Sequence, residues 1–210
     1  MRIDGFKIEE LFAATDWCVK NTFPENYDAR CFYVACAVRA ILKRNGVKAT
    51  IVGGDIGAFT LSADGRKSVL QGFGGGVDKT KPSHFWVESN GVILDPCVSY
   101  LPKSSRIGAV SMPMIAWSKN NALPKYLQYV EKIRYPEDAE YVYPDDIASR
   151  IQDFIECCQK RYSSKAAKKK LTSWLLSNPN ELNIAARSGD RWAKGAILFQ
   201  SMNSVPTIPN

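Results

Sequence analysis

The sequence predicts an α+β fold in which N-terminal helices pack on an antiparallel sheet and a helical subdomain follows at the C-terminal end. Three observations carry this expectation. Residues His84–Pro96 read as a β-hairpin, residues 30–45 read as an amphipathic helix, and the pattern beyond Pro144 shifts to apolar residues at helical spacing.

The first helix is expected over Lys7–Asn21, where Ile8, Leu11, Phe12, Thr15 and Val19 form one apolar stripe and Pro24 ends the helical potential. The second spans 30–45, is free of Gly and Pro, and places Cys31, Ala35, Val38 and Leu42 on one face. Asp28 or Asn26 can cap its start, and Lys43, Arg44 and Asn45-Gly46 supply a cationic last turn and a stop. Strands follow at 47–53, 56–62, 67–71, 84–88 and 92–96, joined in part by the Asp64-Gly65 and Asn90-Gly91 turns. From Pro96 to Pro124 the pattern is irregular, and Met112–Trp117 is either one more strand or an apolar lip.

Beyond Pro144, Ile147, Ile151, Phe154, Ile155 and Cys158 mark a helix over 145–162, with Asp145-Asp146 suited to the dipole at its start. Two more helices are expected at Lys168–Leu176 and Asn180–Phe199, the latter broken at Gly189. The domain division that follows is a core over 1–124 and a helical extension over 125–210.

With 210 residues, 45% of them hydrophobic, the chain can bury a substantial core. No stretch approaches eighteen uncharged apolar residues and the N-terminus has no basic start followed by an apolar run, so neither membrane spanning nor a standard secretion signal is expected. Six cysteines without a regular framework, two of them adjacent, suit reduced thiols in the cytoplasm. They form no C-x-x-C pair, and a single histidine offers few neutral nitrogen ligands, so no metal is expected. No cofactor is expected either: Phe73-Gly74-Gly75-Gly76 is followed by no Lys-Ser/Thr and opens no G-x-G-x-x-G helix.

The chemistry concentrates in the hairpin. With a two-residue turn at Asn90-Gly91, Ser89 faces Val92 and Trp86 faces Asp95, so His84 and Asp95 are diagonal neighbours, with Cα atoms roughly 7–8 Å apart. A carboxylate there can fix the imidazole tautomer, and the pair lacks only a nucleophile. Cys31, in the first turn of its helix, meets the free N–H groups and the positive dipole end, which favour a thiolate below the ordinary value of about 8.5. Cys36 lies about 140° further round the helix and belongs to the core. The Gly74-Gly75 loop precedes the histidine strand, where it can shape substrate access, and Trp86 supports the histidine. These three are the expected substrate-binding residues.

Cys31 opening a helix, Gly46–Gly53 after it, His84-Phe85-Trp86-Val87 and then Leu94-Asp95-Pro96 resemble, in order and spacing, the transglutaminase-like branch of the papain-like Cys-His-Asp superfamily. The matching residues span about 30–97. The resemblance implies Cys31 as nucleophile, His84 as general base and acid, and Asp95 as orienter. The pattern is shared with lasso-peptide leader peptidases and with arylamine N-acetyltransferases. The latter usually carry Arg-Gly-Gly before the cysteine, where this chain has Asp28-Ala29-Arg30.

A cysteine-dependent hydrolase or acyltransferase acting on an amide bond of a protein or peptide is therefore expected. Two other classes stand beside it. One is a binding protein that applies the basic residues Lys160, Arg161, Lys165, Lys168, Lys169 and Lys170 to nucleic acid or an acidic protein. The other is an N-acyltransferase that takes its acyl group from a thioester. The formal net charge of +7 suits the binding reading, although a solvated helix face is the more usual source of such a basic run.

Overall fold

Helix α1 runs over Ile8–Thr22, with Glu9 and Glu10 in its first turn and Lys20 in its last, as the helix dipole favours. Its expected stripe, Ile8, Leu11, Phe12, Thr15 and Val19, is buried throughout. The fold is that of a computed structural model, which describes residues 2–3, 5–72, 80–135, 145–164 and 171–208. Ahead of α1, β1 (Arg2–Ile3) and β2 (Phe6–Lys7) form a small antiparallel pair.

Helix α2 (Cys31–Arg44) begins at the cysteine and stops at Asn45, before Gly46, whose φ of +75° suits glycine. The expected cap is not made. Arg30 occupies the cap position, and its side chain makes no capping hydrogen bond. A single 3₁₀ turn at Tyr27–Ala29 turns Asp28 toward Lys103, 3.0 Å away, while Asn26 accepts from the Arg30 guanidinium.

Strand β3 (Thr50–Leu61) is one continuous strand where two are expected, because its glycines interrupt the apolar pattern and shift the register with one neighbour between Gly53 and Gly54 without ending the strand. It meets β4 (Ser68–Gln71) and β5 (His84–Ser89) along one edge. Strand β6 (Val92–Asp95) completes the hairpin in the expected register, Ser89 opposite Val92, with Asn90 and Gly91 both at positive φ. A 3₁₀ segment at Cys97–Ser104 leads to β7 (Met114–Ser118), which resolves the Met112–Trp117 ambiguity as a strand.

Beyond Pro124 the chain first adds β8 (Leu127–Tyr135), which is not among the expected strands and which pairs antiparallel with the second edge of β3. Helix α3 (Asp145–Ser163) follows and packs on α1 and α2. The helix expected at 168–176 does not form over Leu171–Leu176, where Leu175–Leu176 is instead strand β9, parallel to β7. Helices α4 (Pro179–Arg187) and α5 (Arg191–Ser201) flank Gly189 at φ +96°, the expected break. Asn178 and Asp190 cap them through their side chains.

The result is a mixed α+β fold with an antiparallel-rich sheet between two helical layers. Ile51, Val87 and Leu94 face a core shared with α1, α2 and α3, whereas Val52, Trp86 and Ile93 face one shared with α4 and α5. This is the period-two alternation of a sheet buried on both faces. Among the described residues no helix is long and apolar enough to cross a membrane.

Candidate active site

The tight turn at Asn90-Gly91 sends β5 and β6 to the same far end, so that His84, first in β5, and Asp95, last in β6, meet there. The contact is a hydrogen bond of 2.7 Å between His84 Nε2 and Asp95 Oδ2. His84 is 7% exposed and Asp95 fully buried. Buried carboxylates require partners, and Asp95 has four. Its Oδ1 accepts from the backbone N–H groups of Cys97 and Val98, at 3.0 and 3.3 Å, and its Oδ2 accepts from the Tyr129 hydroxyl at 3.0 Å as well as from His84.

Cys31 is the third member of the group. Its thiol, half-buried at the start of α2, interacts with the His84 ring. Since Nε2 is committed to Asp95, Nδ1 is the nitrogen left for the sulfur. Burial alone opposes a charge on His84, but the carboxylate of Asp95 and the Cys31 thiol outweigh it and raise the imidazole to about 10. The ring is thus held as imidazolium beside the sulfur.

Cys97 also lies close by, but it is buried. Burial, with the neighbouring charges of Asp95, Cys31 and Asp16, pushes the Cys97 thiol well up, so it stays protonated. Cys36, as expected, is buried in the core. Among the described residues no group of three or more His, Cys, Asp or Glu side chains is arranged to hold a metal ion.

Trp86, expected to bind substrate, is only 2% exposed. Its indole runs nearly parallel to the His84 ring, centroids 6.4 Å apart, and packs edge-on against Tyr129 at 5.0 Å. It therefore backs the histidine from inside rather than facing solvent. Gly74 and Gly75 lie outside the described residues. So do Lys165, Lys168, Lys169 and Lys170 of the basic stretch. Of its remaining members, Arg161 lies over the Trp17 ring and Lys160 stands 4.0 Å from Glu156.

Tyr129 is the site residue that sequence reasoning missed. It comes from β8, and burial together with the Asp95 charge pushes its phenol well up, so the hydroxyl remains a donor. The signal for it was the alternation of Leu127 and Tyr129 ahead of a charged run.

No family model matches the chain, and no curated protein matches it. One solved structure, "The crystal structure of genomics APC5867", is similar at 18% identity over 81% of this chain and 87% of that one, with a TM-score of 0.44.

Proposed function

We propose that the chain is a thiol enzyme with a papain-like, transglutaminase-like core, in which Cys31 attacks the carbonyl carbon of an amide bond in a protein or peptide. The observation that carries this reading is the placement of one imidazole between two partners, Asp95 on Nε2 at 2.7 Å and the Cys31 thiol on its other side.

In this reading the Cys31 sulfur adds to the carbonyl, and the imidazolium of His84 gives its Nδ1 proton to the departing amine. An acyl-enzyme remains. His84, now neutral, takes a proton from water or from an acceptor amine, which releases the acid or the transferred product. Asp95 keeps the ring in the orientation that serves both steps. The N–H of Cys31, in the first turn of α2, has no intrahelical acceptor and suits the oxyanion.

The test is alkylation of folded protein with iodoacetamide at pH 6–7, read at each of the six cysteines by peptide mass spectrometry. Cys31 is expected to react first and to lose that advantage in His84→Ala. With a panel of peptide amides, Cys31→Ala and His84→Ala are expected to abolish amine release while leaving the fold intact. Full turnover in Cys31→Ala overturns the proposal.

A further inference from the structure

A second cluster of thiols lies away from the hairpin, where α3 crosses α1. Cys157 donates to the Cys18 sulfur at 3.3 Å, and Cys158 interacts with the same sulfur. Cys18 and Cys158 are fully buried, whereas Cys157 is half-buried and offers the approach from solvent. Arg161, one helical turn beyond Cys157, lies over the Trp17 ring at 4.2 Å, and its Nε is buried with no hydrogen-bond partner among the described residues. A guanidinium so placed favours negative charge on the adjacent sulfur.

We propose that Cys18 and Cys157 are an oxidation site that closes to a disulfide between α1 and α3 on exposure to a peroxide. A disulfide needs its sulfurs about 2 Å apart, so side-chain rotation has to close roughly 1.3 Å of the present separation. The hydrogen bond from Cys158 lowers the Cys18 thiol; burial opposes this, but Cys157 and Arg161 add to the lowering and bring it to about 7, so a thiolate is available near neutral pH. That thiolate attacks one peroxide oxygen. The O–O bond breaks, an S–O bond forms, and hydroxide leaves and takes up a proton. The Cys157 sulfur then attacks the Cys18 sulfur, the S–O bond breaks, and water leaves with the thiol proton. Two thiols lose two electrons and one peroxide becomes two waters.

The bridge would fix α3 to α1 on the side that also holds α2. Phe154, on α3, packs against Phe23 and Tyr33, and those two rings carry the guanidinium of Arg30, the residue that precedes Cys31 in the chain.

The full chain is treated with hydrogen peroxide at pH 7, free thiols are blocked, and the peptides are mapped. A linked Cys18–Cys157 peptide pair that has lost two hydrogens is the expected product, and dithiothreitol should reverse it. Arg161→Gln is expected to slow the linkage several-fold while Cys31 oxidises at its wild-type rate, which serves as the internal reference. Cys18 still open to blocking after Cys31 is consumed, linkage of Cys18 to Cys158 instead, or an unchanged rate in Arg161→Gln would each overturn the proposal.

Discussion

Tyr129 and His84 share one acceptor: both bond Oδ2 of Asp95, at 3.0 and 2.7 Å, from strands that lie on opposite edges of β3. The carboxylate is thereby fixed from β5, from β8 and from the 3₁₀ segment that follows it, and the imidazole inherits that position.

Tyr129→Phe removes one hydrogen bond to a buried charge, worth about 1.5–3 kcal/mol, and keeps the ring that packs on Trp86. Chemical denaturation should show that loss. Asp95, with one competing donor gone, should hold the imidazolium more strongly, so His84 is expected to titrate higher by NMR than in wild type. A variant that is less stable but has an unchanged His84 titration would reduce Tyr129 to a packing residue.

The raised imidazole also predicts how stability varies with pH. His84 in the folded chain titrates at about 10, against 6.5 without its partners. The folded state therefore binds the proton more tightly, and this contribution is fully present below pH about 6.5 and lost as pH rises through about 10. Asp95→Asn keeps a polar partner but removes the charge. Denaturation midpoints measured across that window should fall with pH in wild type and fall less in Asp95→Asn. Parallel profiles would sink the assignment.

Gly54 lies opposite both His84 and Glu131 in the pairing of β3, next to the register shift that begins at Gly53. A Cβ there would stand 2.1 Å from the Val130 carbonyl oxygen and 2.9 Å from the Trp86 indole. The first is backbone and cannot rotate away, so Gly54→Ala must push β8 off β3 and take Tyr129 from Asp95. Overpacking of this kind costs about 1–3 kcal/mol or more. Thermal unfolding should register it, together with slower Cys31 alkylation. Wild-type behaviour in both would show that β8 is not needed to position the pair.

What was legible in the sequence follows from how local each signal is. The hairpin register depends on a two-residue turn, so Asn90-Gly91 suffices to bring His84 to Asp95. Helix α2 declares itself by periodicity, and with it Cys31. Strand β8 declares itself only weakly, because Val130 and Glu131 break the alternation of Leu127, Tyr129, Ile133 and Tyr135, and its pairing partner lies some 75 residues earlier, from Ile51 to Ala58. Tyr129 was lost with it. The α2 cap failed for a similar reason: Asp28 is a good capping residue locally, but Lys103 claims it from the 3₁₀ segment far along the chain. Leu175–Leu176 reads as helix by composition and becomes strand only because β7 offers an edge.

Asp16 shows the same long-range dependence and yields the remaining prediction. This carboxylate on α1 is almost wholly buried and takes the Tyr100 hydroxyl at 2.9 Å, the Thr172 hydroxyl at 2.8 Å and the Lys20 ammonium at 2.8 Å. Two segments distant in sequence converge on it, one of them the segment that carries β9 to the edge of β7. Asp16→Ala leaves the buried Tyr100 hydroxyl without its acceptor and takes the carboxylate from Thr172 and Lys20, which keep their 3.3 Å hydrogen bond to each other; losing a hydrogen bond to a charged group typically costs about 1.5–3 kcal/mol. The loss should be largest locally, since residues 171–176 otherwise hold to the sheet by the short β9 pairing and a few neighbouring bonds. Hydrogen exchange should therefore speed up at Leu175 and Leu176 more than at Val87 or Leu94. Uniform acceleration along the whole sheet would mean that Asp16 supports global stability without anchoring β9.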